Sequence, residues 1–170
     1  MNKHNGMRPQ DIVILLKMIS LQQENWRIAD LAHAMHISAS EISESLNRSR
    51  IAGLVDPKKR KVFLTSFKEF LIYGLKYVFP VEPGAIVRGV PTAHAASPIS
   101  EHLSSSSEIF VWPSSNGSHR GQAIQPLYKT IPEIVHEDKI FYELLVIIDT
   151  IRIGRAREVK IAIRELEKRI

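Results

Sequence analysis

Between Ser38 and Arg50 the sequence SASEISESLNRSR places short polar and charged side chains at helical spacing. If Ile42, Ser45 and Leu46 face inward, the residues between them form a polar outer face. Asn pairs bidentately with adenine, Arg pairs with guanine, and a Glu carboxylate accepts a hydrogen bond from the amino group of cytosine. This helix therefore carries side-chain types that suit the base edges of duplex DNA, and the candidates are Ser38, Ser40, Glu41, Ser43, Glu44, Asn47 and Arg48.

A run of cations follows the same helix. Contacts between cations and phosphate position a protein on DNA without specifying the sequence. A run of charged residues by itself usually indicates only a solvated surface. This run is evidence for phosphate contacts because it lies directly after the polar helix. The residues that we predict to contact phosphate are Arg50, Lys58, Lys59, Arg60 and Lys61.

The elements that must position these residues follow from the apolar periodicity. Ser38 or Ser40 is the expected N-cap of the polar helix, with Glu41, three residues after Ser38, completing a capping box, and Gly53 is the expected residue that ends the helix. Turn residues and the apolar residues on both sides of the basic run predict a β-hairpin there. The predicted order is helix 9–20, helix 25–36, helix 38–52, hairpin 54–66 and helix 67–79.

The stretch from Ile28 to Leu64 resembles the winged helix-turn-helix of MarR-like DNA-binding proteins. The resemblance is carried by IADLAHAMHIS and SEISESLNRSRIAGLVD, which have LA in the second helix, an apolar turn at Ile37 and AGLV before the wing. It implies that the third helix enters the major groove and that the basic turn is the wing. The predicted fold class is mainly α with a small β-hairpin wing.

Charge is distributed unevenly along the chain, which has a net charge of +5. Residues 1–78 hold 12 Lys and Arg against 7 Asp and Glu, whereas residues 79–136 have a net charge of −1 and residues 137–170 of +1. A basic part joined to a nearly neutral one fits a polyanionic partner bound mainly at one end.

Composition divides the chain into three predicted segments. A winged helix-turn-helix domain spans 8–78. An extended, irregular segment rich in Pro and Ser spans 79–136 and has one short strand at IFVWP, where Trp112 is expected to act as an anchor. A pair of C-terminal helices spans 137–170, separated at Gly154.

The first C-terminal helix, DKIFYELLVIIDTIRI, is apolar nearly all round. Such a helix needs more cover than one small domain usually offers, so the pattern predicts a homodimer through the C-terminal pair. The alternative is a core helix that is buried within its own chain.

The sequence lacks the motifs of secreted, membrane-spanning, metal-binding and catalytic proteins. The chain has no cysteine, no apolar segment long enough for a membrane span and no signal-peptide pattern at its start, so we predict a cytoplasmic protein without a membrane partner. His33 and His36 have no acidic or thiol ligand nearby, so no metal site is predicted. The catalytic signatures G-x-S-x-G and HExxH and the P-loop are absent, and neither an enzyme nor a cofactor is predicted.

Two functions from different classes remain. The first is sequence-specific binding of double-stranded DNA by a dimeric winged-helix transcriptional regulator. The alternative is a protein-interaction module, such as an antitoxin or adaptor, in which a degenerate winged helix binds an unknown protein partner. The two glutamates on the outer face of the polar helix favour this alternative.

Overall fold

The computed structural model describes residues 5–23, 25–105 and 107–170. Within these ranges the fold is mainly helical with one small sheet, so the predicted class is confirmed at that level. The elements are α1 (Pro9–Ser20), α2 (Ile28–Met35), α3 (Ala39–Ile51), α4 (Leu64–Tyr73), α5 (Leu75–Val78), β1 (Ile86–Thr92), β2 (Phe110–Pro113), β3 (His119–Ala123), α6 (Ile131–Ile134), α7 (Lys139–Ile153) and α8 (Ala156–Arg169).

The predicted hairpin around the basic run is reduced to one antiparallel bridge between Val55 and Val62. The amide of Phe63 donates to the carbonyl of Leu54, which closes the base of this turn. We call residues 57–61 the basic loop. The sheet of this fold lies elsewhere, in the segment predicted to be irregular.

That middle segment forms a three-stranded sheet. The strand predicted at IFVWP is confirmed as β2, but the expectation of a single strand is wrong, because β1 and β3 were missed. β1 pairs antiparallel with both other strands, and β2 and β3 also pair in parallel. Gly89 permits this closure, since a Cβ there would lie 2.1 Å from the carbonyl oxygen of Trp112. Proline and glycine usually interrupt strands. Pro91 and the glycines of β1 and β3 therefore explain why neither strand was predicted from the sequence.

α7 is the central element of the core. Every side chain from Leu144 to Ile151 is buried, and the helix packs against α1, α4, α5, α8, β1 and the 3-10 turns. Buried residues from all three predicted segments join one hydrophobic cluster. The premise of the predicted homodimer is therefore wrong, because one chain supplies the cover that the apolar pattern of α7 requires.

A buried polar network joins α7 to the sheet. The Asp149 carboxylate accepts from the indole Nε1 of Trp112 at 2.6 Å and from the hydroxyl of Thr92 at 3.0 Å. Arg152 pairs with Asp149 at 2.8 Å, and its Nε donates to the carbonyl of Phe79. The prediction that Trp112 anchors the middle segment is confirmed, since its ring is buried and its one donor is bound.

No helix within the described ranges is both long enough and apolar enough to cross a membrane.

Replacing Trp112 with Phe removes one donor from Asp149 and part of a buried ring. We expect the free energy of unfolding to fall by at least about 1.5–3 kcal/mol, the contribution of a hydrogen bond to a charged group. Urea denaturation at neutral pH measures this. Tyr73→Phe is the control, because Tyr73 is 74% exposed and should change stability by less than about 0.5 kcal/mol. Equal stability of the two variants would contradict the anchoring role.

Candidate nucleic-acid interface

The turn between α2 and α3 is fixed at both ends. α2 ends at His36, whose φ of 51° lies in the left-handed region, and the next residue, Ile37, is buried. The Ser38 side chain accepts from the amide of Glu41 at 3.2 Å, so the predicted N-cap is confirmed. The hydroxyl of Thr130 donates to the carbonyl of Met35 and ties the turn to the rest of the chain.

The C-terminal end of α3 is a Schellman motif. Gly53 has a φ of 75°, its amide donates to the carbonyl of Arg50, and the amide of Leu54 donates to that of Ser49. This is the pattern in which glycine satisfies the last carbonyls of a helix. The predicted end of the helix and its inward anchors, Ile42 and Leu46, are confirmed.

The prediction that Arg48 lies on the outer face is wrong, so it is no longer a candidate for a contact with DNA. Its side chain is 6% exposed and donates from Nε and Nη2 to the carboxylate of Asp11 at 2.9 and 2.7 Å. Glu41, Ser45 and Arg48 are spaced four and three residues apart, so they share the face of α3 that turns toward α1. The hydrogen bond to Asp11 raises the pKa of Arg48 further above its usual range, although burial opposes this.

Glu41 belongs to the same network. Its carboxylate accepts from Arg48 at 2.7 Å and from the amide group of Gln10 at 2.6 Å, and Arg8 lies 3.6 Å away. These contacts replace the second half of the predicted capping box, in which Glu41 would have bonded back to Ser38. Its charge is therefore offset within the protein.

The outer face that remains is a strip along α3. Asn47 Oδ1 accepts from Nη2 and Nε of Arg50 at 3.2 and 3.4 Å. Ser40 and Arg50 are exposed, whereas Asn47 is half-buried. Glu44 also has an interaction partner and is not a free carboxylate. We call this set the α3 strip, and it consists of Ser40, Ser43, Glu44, Asn47 and Arg50.

The basic loop has a defined backbone conformation. The Asp56 carboxylate accepts from the backbone amides of Lys58, Arg60 and Lys61 at 3.2, 2.6 and 2.7 Å. Lys59 takes a left-handed φ of 58° at the tip. These hydrogen bonds, that of the Lys61 amide first, hold the pKa of Asp56 below its usual value against a smaller effect of burial. The loop therefore presents its cations from a closed turn.

Arg60 has a second role inside the fold. Its guanidinium lies 4.8 Å from the ring centroid of Trp26 and donates to the Trp26 carbonyl. Trp26 is buried, so this contact fixes the loop against the residue that precedes α2. Because Arg60 already contacts Trp26, it is less available to a ligand. Lys58 and Lys59 are the loop cations best placed to bind one.

Sequence reasoning missed Asp11, Trp26 and Asp56, which position the interface without belonging to it. Asp56 carried a signal, because an aspartate before a proline often accepts hydrogen bonds from the amides of a turn. The pairing of Asp11 with Arg48 carried none, since 37 residues separate the partners. Within the described residues no group of three His, Cys, Asp or Glu side chains could hold a metal ion.

The chain was compared with known proteins at three levels. No protein-family model, no curated protein and no solved structure matches it. The resemblance to MarR-like proteins therefore stays a prediction.

Arg48→Ala leaves the Asp11 carboxylate buried without its cation. Breaking a buried ion pair in this way costs about 3–5 kcal/mol, and denaturant unfolding should show a decrease of this size. The control is Arg50→Ala, an exposed neighbour whose removal should change stability by less than about 0.5 kcal/mol. If both variants unfold alike, the network does not hold α3 against α1.

Lowering the pH should release the basic loop. The pKa of Asp56 is lowered in the folded protein, and the unfolded value is about 3.9. The stabilisation is thus fully present above about pH 4 and is lost as the pH falls through the folded pKa. The amide resonances of Lys58, Arg60 and Lys61 should shift over this range, measured by NMR titration.

Asp56→Asn is the control for this titration, because an amide cannot titrate. Its loop amides should keep constant shifts over the same range. Wild-type loop amides that stay unchanged until the whole protein unfolds would contradict the role of Asp56.

Proposed function

We propose that this chain binds double-stranded DNA through the α3 strip and the basic loop and acts as a sequence-specific transcriptional regulator. The observation that carries the proposal is the basic loop, whose cations are presented from a turn closed by Asp56, directly after a helix with fixed ends. Phosphate contacts from such a loop would set the register in which α3 meets the bases.

The ion pairs of α3 remove the main objection to this function. Asp11, Arg8, Glu41 and Arg48 carry no net charge together, and all four meet at one end of α1. The acidity of the polar helix is thus offset within the fold. A phosphate that approaches the α3 strip meets less repulsion than the sequence alone indicates.

The contact between Arg50 and Asn47 indicates which base edge the strip suits. A guanidinium has donors only, so the Asn47 side chain must turn its oxygen toward Arg50 and leave its NH₂ group outward. Bidentate pairing with adenine needs an acceptor as well as a donor, whereas guanine presents two acceptors, O6 and N7. The Asn47 oxygen has a second lone pair, so adenine stays an expected base contact of Asn47 and guanine is added as a second one.

One observation favours the protein-interaction alternative. Ile51, Phe63 and Leu64, which flank the basic loop in the chain, are 48%, 45% and 44% exposed. Apolar side chains of this size suit the core of a protein interface. In that case the binding of a partner would depend on these residues and would respond only weakly to salt.

The proposal does not require a second copy of the chain, because α7 is covered within one chain. The expected recognition site is then a single half-site instead of a palindrome. A regulator of this kind would work in the cytoplasm.

Counterion release tests the proposal. The triple variant Lys58→Ala, Lys59→Ala, Lys61→Ala should bind random duplex more weakly, and its slope of log K against log salt should flatten by about 0.9 for each phosphate that the loop no longer neutralises. The matched control replaces Arg157, Lys160 and Arg164 with Ala, three exposed cations on α8. Fluorescence anisotropy across a salt series measures both slopes.

A site selected from random duplexes supplies the second arm of the same experiment. There Asn47→Ala should cost about 1–3 kcal/mol, with no effect on scrambled duplex. Equal slopes for the two triple variants, with no effect of Asn47→Ala, would contradict the DNA-binding proposal. Binding of a protein that is abolished in Phe63→Ser but retained in the loop variant would favour the alternative.

A further inference from the structure

Two arginines lie side by side on the small sheet. β1 and β3 pair antiparallel with Arg88 directly opposite Arg120, and both side chains are exposed. Directly opposite residues in such a pair project from the same face with Cβ atoms about 4.5–5.5 Å apart. The two guanidinium groups can therefore reach one ligand together.

Neither guanidinium is neutralised by a residue within the described ranges. Among the described residues neither side chain has an ion pair, a hydrogen bond or another polar partner. The strands 86–92, 110–113 and 119–123 contain no Asp or Glu at all. Residues 79–136 have a net charge of −1, but their four glutamates all lie outside the strands, so the strands themselves are basic.

Like charges directly opposite each other weaken a β-sheet. The fold neutralises Arg48, Arg152 and Arg169 with carboxylates. Arg88 and Arg120 instead lie directly beside each other with no carboxylate partner among the described residues. An anion with several oxygens would relieve the repulsion, and phosphate groups match the fork of the guanidinium group.

The neighbours on this face indicate the form of the ligand. Ile86 and Gln122 lie opposite each other, two positions along from the arginines and on the same side of the sheet. Two aromatic residues share this face, but Phe110, opposite Gln122, is half-buried against the ring of His94, and Trp112 is buried. Neither ring offers the open stacking surface that single-stranded nucleic acids use. A duplex backbone needs only cations at the surface.

We propose that Arg88 and Arg120 form a second phosphate-binding surface for duplex DNA, separate from the α3 strip and the basic loop. This surface rests on the proposed function for its ligand but uses other residues. It would add affinity that does not depend on the base sequence.

The test uses the full chain and a random duplex longer than the expected site. The variant Arg88→Gln, Arg120→Gln should lower the slope of log K against log salt by about 0.9 for each phosphate that the two arginines neutralise in the wild type. It should weaken selected and scrambled duplexes by the same factor. The control, Arg157→Gln with Lys160→Gln, removes two exposed cations from α8 and should leave the slope unchanged.

The variant of the basic loop separates the two proposals. If the loop variant binds more weakly while the Arg88 and Arg120 variant matches wild type, the proposed function holds and the second surface is refuted. If only the Arg88 and Arg120 variant flattens the slope, the second surface holds and the basic loop is not the DNA contact. A wild-type chain that does not bind duplex refutes both.

Thermal denaturation at low salt gives a readout that does not depend on affinity. Without DNA, Arg88→Gln should melt at the wild-type temperature or above it, because one of two repelling charges is gone. With excess duplex, wild type should show a larger rise in melting temperature than the double variant. A lower melting temperature of Arg88→Gln without DNA, together with equal rises, would show a structural role and overturn the proposal.

Discussion

The structure depends on one constraint, which is that α7 is apolar on every side and must be covered on every side. Every side chain from Leu144 to Ile151 is buried, so this part of α7 leaves no face for solvent. Three parts of the chain pack against α7: α1 from the N-terminal segment, β1 and the 3-10 turns that follow it from the middle segment, and α8 from the C-terminal segment. Burial of each such side chain contributes about 1.5–3 kcal/mol, which explains why a segment rich in Pro and Ser is ordered.

Among the residues that the structure describes, the charged groups buried in this core have partners. Asp149 holds the sheet to α7 through Trp112 and Thr92. At the start of α7, Asp138 accepts from Lys17 at 2.6 Å and caps the helix at the amide of Phe141. Burial alone would raise the pKa of Asp138, but these hydrogen bonds outweigh it and lower the pKa. Each buried ion thereby ties together elements that are far apart in the sequence.

The same rule divides the charged groups of the protein into two kinds. On the side of α3 that faces α1, carboxylates and arginines neutralise one another, and Glu165 on α8 is held between Lys168 and Arg169 with its pKa lowered to about 2. The cations of the basic loop and of the outer face of the sheet lie outside such networks, except for the engaged Arg60 and Lys61. This division, more than the net charge of +5, is the reason why we propose a polyanionic ligand.

The sequence by itself determined the elements whose causes are local. The apolar period of α1, α7 and α8, the Ser38 cap, the left-handed Gly53 and the basic loop all depend on residues within a few positions of one another. Tertiary structure decided the rest. Arg48 turns inward because Asp11 lies opposite it on another helix, β1 and β3 form because Gly89 admits the backbone of β2, and α7 is covered by its own chain. These outcomes depend on partners distant along the chain, which no local pattern encodes.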